Sequence, residues 1–113
     1  MENIFEKSKY TEKDFNKYQL MQIEKGVKAN LDVSVYLNPA FEAAQMHLIR
    51  LGLLNNFDIT YYAFPKFNWE QMMAIYNGLK EGLDVSLYAK ETIAASMMNK
   101  TYQYLLNRKN IDN

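Results

Sequence analysis

"DVSVYL" (residues 32–37), "DITYYA" (58–63) and "DVSLYA" (84–89) are near copies of one another, and how they are read decides the fold. Their aspartates, Asp32, Asp58 and Asp84, stand 26 residues apart. The same step joins Gly26, Gly52 and Gly78, then Gln19, Gln45 and Gln71, then Ile23, Ile49 and Ile75. Phe15, Phe41, Phe67 and Ile93 form a further column. Tyr36, Tyr62 and Tyr88 step back to Tyr10, with Ser8 in the column of Ser34, Thr60 and Ser86. Self-similarity at one period over so many columns marks a tandem repeat. The chain reads as a single repeat domain, 1–113, of four units near 6–31, 32–57, 58–83 and 84–109.

The β-branched residues of "DVSLYA" suit a strand, which would give a β/α solenoid. The columns favour a turn of helix. Position 87 is matched by Lys9, Val35 and Tyr61, a mixture expected of an exposed site. Positions 85, 88 and 89 stay mostly apolar across the units, and spacings of three and four belong to a helix. Asp84 can cap that turn, while Pro39 and Pro65 end the corresponding segments by excluding the preceding residue from the helical region. The expected fold is therefore all-α, a small solenoid whose units each hold a short helix and a longer one.

The longer helix is clearest in "FNWEQMMAIYNGLKEG" (67–82). Asn68 stands at the N-cap with Gln71 three residues on, a capping box, and Phe67 and Met72 can staple its entry. Met72, Ile75 and Leu79 share one face. Gly82 suits the left-handed residue that ends a helix, with Leu83 folding back as its apolar contact. Phe41, Gln45, Met46, Ile49 and Leu53 repeat the pattern one unit earlier. One such pair cannot bury its apolar face alone, so neighbouring units must supply the core. The first unit has polar "KYTEKD" where others have "YLNPA" or "YAFPK". The last lacks proline and puts Tyr104 in the glycine column. Both are expected to act as caps.

A chain of 113 residues can bury one modest core, and 49% apolar against 23% charged residues is the balance of a folded protein. Thirteen basic residues cancel thirteen acidic ones, which leaves no electrostatic footprint for nucleic acid or an anionic membrane. Cysteine is absent, which excludes disulfides, thiolate chemistry and thiolate-held zinc. "MENIFEKSKY" lacks the apolar run of a signal peptide, and no stretch approaches the roughly 18 apolar residues of a membrane span. A cytoplasmic location is expected, with no membrane partner.

As a consensus the unit is "GLDVSxYAxPxFxxxQMxxIRxGL", best matched here by "QMHLIRLGL" and "GLDVSLYA". It resembles a tandem repeat of this length in uncharacterised proteins of Gram-positive bacteria, their phages and their mobile elements. The likeness covers residues 19–89 well and the ends loosely. It implies a helical repeat from a bacterial or phage source and brings no catalytic residues. Small phage proteins of this kind include inhibitors of host defence such as anti-CRISPRs, a link of genomic company and size rather than of motif.

Enzyme constellations are missing. His47 is the only histidine, and catalysis or metal binding there would need partners that the sequence lacks. Gly-rich phosphate loops, GxSxG elbows and HExxH motifs do not occur. A catalytic residue is needed once, whereas Asp32, Asp58 and Asp84 recur at one position in three of the four units, as helix caps would. Met46, Met72 and Met98 share a column read as core rather than as a Met-rich groove. No catalytic residue, cofactor or metal is expected.

The repeat exposes deviations instead. Trp69, Met73 and Tyr76 lie at i, i+4 and i+7 of one helix, in columns held elsewhere by Ala43, His47 and Arg50 or by Lys17, Met21 and Glu24. Columns that accept lysine, glutamate and arginine should face solvent. Phe64 stands where other units have Glu12, Asn38 and Lys90, and Tyr61 where they have Lys9, Val35 and Leu87. An exposed aromatic stripe marks an interaction site, rich in the residues that dominate binding hot spots. The expected partner is a host protein such as a defence effector, with His47 and Arg50 as polar rim. Self-association as a homodimer and packing within the chain's own core are the alternatives. A nucleic-acid-binding helix-turn-helix variant is a further one, disfavoured by zero net charge.

Overall fold

Each long helix starts where the 26-residue step requires. In the computed structural model, which describes residues 2–112, α1 spans Lys17–Lys28, α2 Ala43–Leu54, α3 Trp69–Lys80 and α4 Ala95–Asp112. The first three have 12 residues and α4 has 18. The fold is all-α, with no strand among the described residues. The aspartate segments are 3-10 turns at Val33–Val35, Ile59–Tyr61 and Val85–Leu87, so the helical reading holds over the strand.

Local hydrogen bonds explain why these six residues turn. Asp84 accepts from the Ser86 amide at 3.2 Å and from its hydroxyl at 2.5 Å, and Asp32 does the same for Ser34. A side chain that satisfies the amide two residues on mimics a turn and stops the segment extending. The first unit departs from the expected short helix. Its 3-10 helices lie at Glu2–Phe5 and Glu12–Asp14, with a bend at Ser8 between them. Glu6 occupies the aspartate column there. The Ser8 hydroxyl takes over, donating to the Phe5 carbonyl at 3.0 Å and accepting from the Tyr10 amide at 3.1 Å.

Contacts divide the chain into two compact units, one ending at Asn56 and one beginning at Phe57. In the first, α1 packs on α2 around Phe15, Ile23, Val33, Tyr36, Phe41, Met46, Leu48 and Ile49. In the second, α3 packs on α4, with Phe67, Met72, Ile75, Val85, Tyr88 and Met98 buried, and Tyr62 is buried as well. Each large apolar side chain fully removed from water contributes about 1.5–3 kcal/mol. The methionine column, Met46, Met72 and Met98, is wholly buried, as its recurrence suggested.

Two polar devices lock each helix pair in register. Gln71 accepts the Asn68 amide through Oε1 at 2.9 Å, closing the capping box. Its Nε2 then donates to the carbonyls of Glu91 at 3.0 Å and Ile93 at 2.8 Å, on the approach to α4. Gln19 does the same between Asn16 and the carbonyls of Pro39 and Phe41. The second device is a tyrosine. The Tyr36 hydroxyl donates to the Gln22 carbonyl at 2.7 Å, and that of Tyr88 to the Ala74 carbonyl at 2.8 Å. Those carbonyls lie one helical turn before Gly26 and Gly78. A Cβ on Gly78 would sit 2.1 Å from the Tyr88 hydroxyl and 2.5 Å from Val85 Cγ1, and Gly26 meets Tyr36 and Val33 at the same distances. Only glycine admits the ring this close.

The helix ends follow one scheme. Gly82 has φ 72°, its amide reaches the Leu79 carbonyl at 3.1 Å, and the Leu83 amide reaches Gly78 at 2.8 Å. This is the Schellman arrangement expected for Gly82 and Leu83. Asn30 with φ 60° and Asn56 with φ 59° fill the same place, asparagine being the side chain that best tolerates the left-handed region.

Gly78→Ala should lower stability by about 1–3 kcal/mol through overpacking, read as a reduced urea midpoint. Tyr88→Phe should cost about 1 kcal/mol, and the double variant should lose less than the sum because the hydroxyl that clashes is gone. Burial raises the Tyr36 and Tyr88 phenols from 10.0 to about 12, and raises Tyr62 as well. The folded state thus prefers neutral phenols. Their contribution is full below pH 10 and is lost as pH rises towards 12. Urea midpoints should fall across that window, less steeply in Tyr88→Phe.

Candidate functional site

The start of α3 shapes the aromatic site in the second unit. Asn68 accepts the Gln71 amide at 2.8 Å, fixing the N-cap and placing Trp69 at the first helical position, where it remains 36% exposed. Phe64 lies in the turn before, 43% exposed, its ring tilted against Phe67 with centroids 6.4 Å apart. Lys66 Nζ stands 5.2 Å from the Phe64 centroid and 5.8 Å from that of Phe67. An ammonium over an exposed ring holds it by about 0.5–1 kcal/mol. Two large aromatic rings therefore face water in this unit, and Phe64 has a cation over it.

The rest of the stripe sinks. Met73 and Tyr76 are half-buried, and the Tyr76 ring meets Phe57 edge-on at 5.6 Å. Tyr61 is half-buried in its 3-10 turn. The equivalent column on α1, Lys17, Met21 and Glu24, is exposed throughout. The sequence favoured solvent for this stripe and kept packing in the chain's own core as an alternative; Trp69 is exposed, whereas Met73 and Tyr76 are half-buried. Phe57 accounts for part of the difference, since it gives Tyr76 a ring to lean on.

His47 and Arg50 belong to the first unit, on α2, and both are half-buried. They engage each other, with Arg50 Nη2 3.0 Å from His47 Nδ1, while Arg50 Nε donates to Gln22 Oε1 at 3.0 Å. Arginine can only donate, so His47 Nδ1 accepts and the neutral ring keeps its proton on Nε2. Partial burial, then the Arg50 and Lys25 charges, hold the His47 pKa below its usual 6.5. Arg50 thus links α2 to Gln22 of α1, and His47 holds its guanidinium from the same helix.

Among the described residues no group of three or more His, Asp or Glu could hold a metal, and no helix is long and apolar enough to cross a membrane. Every buried side-chain nitrogen and oxygen described has a hydrogen-bond partner. Sequence reasoning missed the second duty of Gln19 and Gln71, because a capping box explained them completely at the local level. Their recurrence in every unit with a long helix partner was the available signal. The chain matches no protein-family model, no curated protein and no solved structure.

A depressed histidine pKa means stability that is present above about pH 6.5 and lost as pH falls through the folded value. Wild type should show a lower urea midpoint at pH 5 than at pH 7.5, measured at constant ionic strength. His47→Gln, which keeps an acceptor for Arg50, should flatten that difference.

Proposed function

We propose that the chain is a non-enzymatic protein-binding repeat module whose partner surface centres on Trp69. The reading rests on one observation: Trp69 and Phe64 are large rings left 36% and 43% exposed in a unit that otherwise buries its repeated apolar columns. Tryptophan is enriched at interface centres because one side chain removes a large apolar area from water with few rotors to freeze. Lys66 supplies a cation over the Phe64 ring, and Tyr61, Met73 and Tyr76 in the same unit are half-buried.

The particular version is a phage or mobile-element inhibitor that covers a functional face of a bacterial defence protein, in the manner of an anti-CRISPR. It draws on the resemblance of "QMHLIRLGL" and "GLDVSLYA" to repeats from such sources. Arg50 and His47 belong to the first unit and engage each other on α2.

Immobilised wild type and Trp69→Ala, first sized by light scattering, would be challenged with lysate of a bacterial host. The expected result is a specific protein retained by wild type, with affinity for Trp69→Ala weaker by about 2 kcal/mol or more. Equal retention by a folded Trp69→Ala would remove the site. A wild-type dimer that Trp69→Ala converts to monomer would make the same rings a self-association surface.

A further inference from the structure

A second surface lies on α4 and shares no residue with the Trp69 site. On α4, Met98 is buried, Tyr102 and Leu105 are half-buried at helical spacing from it, and Lys109 donates to the Glu81 carbonyl at the end of α3. A different stripe is open. Met97 is 51% exposed, Tyr104 62% and Ile111 79%. They stand seven residues apart, on one side of the helix over about 21 Å. Exposed Lys100 and Arg108 lie along the same stripe, whereas Asn99, Gln103, Asn107 and Asn110 make up the uncharged polar side. Over Ala95–Asp112 the charges are Lys100, Arg108 and Lys109 against Asp112 alone, in a chain whose total is zero. The apolar stripe and the excess positive charge coincide.

The repeat itself says what cannot cover this stripe. A further unit docks through a glutamine that donates to incoming carbonyls and a glycine that admits a tyrosine ring. In α4 those columns hold Met97 and Tyr104. A second copy adding its own units end to end would meet a phenol ring where its tyrosine must enter. A side-by-side pair of α4 helices fares no better. Antiparallel pairing about Tyr104 sets Lys100 against Arg108, and parallel pairing sets each against itself, so like charges face each other either way.

We infer that the Met97–Tyr104–Ile111 stripe docks an amphipathic helix of another protein whose apolar face is flanked by glutamate or aspartate. Leucine-sized side chains at helical spacing fit between residues seven apart, and acidic flanks answer Lys100 and Arg108. The six residues by which α4 exceeds the other helices extend the stripe to Ile111 and bring Arg108 alongside it.

The test titrates the full chain into three labelled synthetic helices with the same leucine stripe, flanked by glutamate, by glutamine or by lysine. The glutamate peptide should bind at least about tenfold tighter than the lysine peptide and lose affinity with added salt. Tyr104→Asp should weaken it by at least about tenfold, and Lys100→Glu with Arg108→Glu should invert the preference. These side chains are exposed, and circular dichroism checks that the variants fold. Trp69→Ala should bind the peptide like wild type. Absence of binding, indifference to flank charge, or insensitivity to Tyr104→Asp overturns the proposal. So does a wild-type dimer that Tyr104→Asp dissolves, which would make the occupant a second copy.

Discussion

A tyrosine hydroxyl can reach a main-chain carbonyl inside an α-helix only where the helix carries no side chain in its path. Tyr36 on Gln22 and Tyr88 on Ala74 meet that condition at Gly26 and Gly78, and the remaining order follows from it. Once the ring is seated, the 3-10 turn that carries it must stop in place, which Asp32 and Asp84 ensure by holding the amide two residues on. The chain must then travel a set distance to the next helix start, where the carbonyls meet Gln19 or Gln71. The period of 26 residues is the length of that circuit. Glycine in mid-helix ordinarily weakens it by about 1 kcal/mol, so its recurrence there signals a contact that outweighs the cost.

Such a scheme separates architecture from everything else. Aspartate, glutamine, glycine and tyrosine columns are occupied by polar contacts that repeat with nearly the same distances in the two units. Residues outside those columns are free to vary, and the variation has direction. In the second unit it leaves Trp69 and Phe64 in water with Lys66 beside them. On α4 it replaces the docking glutamine and glycine with Met97 and Tyr104, and turns a receptive face into an apolar one edged with positive charge. Both surfaces arise where a unit departs from its own consensus.

Burial also decides the role of the ionisable groups. Phenols held against main-chain carbonyls stay neutral far into alkali, and partial burial, then the Arg50 and Lys25 charges, favours the neutral form of His47. These groups are spent on holding helices together. Proton transfer would need one of them released to water or to a substrate, and the hydrogen bonds that engage them are the ones that set the packing.

Much of the fold was legible because the repeat made one helix vouch for another. Helix starts, the N-cap Asn68, the left-handed Gly82 and the buried methionine column all follow from spacing and local chemistry. The first unit, expected to be an atypical cap, carries Glu6 in the aspartate column and a bend at Ser8 where the later units have a 3-10 turn. The aromatic stripe divides between what is local and what is not. Spacing put Trp69, Met73 and Tyr76 on one face of α3, and this much the sequence determined by itself, because helical geometry is local. How deep Tyr76 sits depended in part on Phe57, far from it in the helix pattern and met only by folding. The same division holds for Gln71: its capping box is written within four residues, whereas its bonds to Glu91 and Ile93 needed the tertiary structure to bring 20 and 22 residues of intervening chain back upon it.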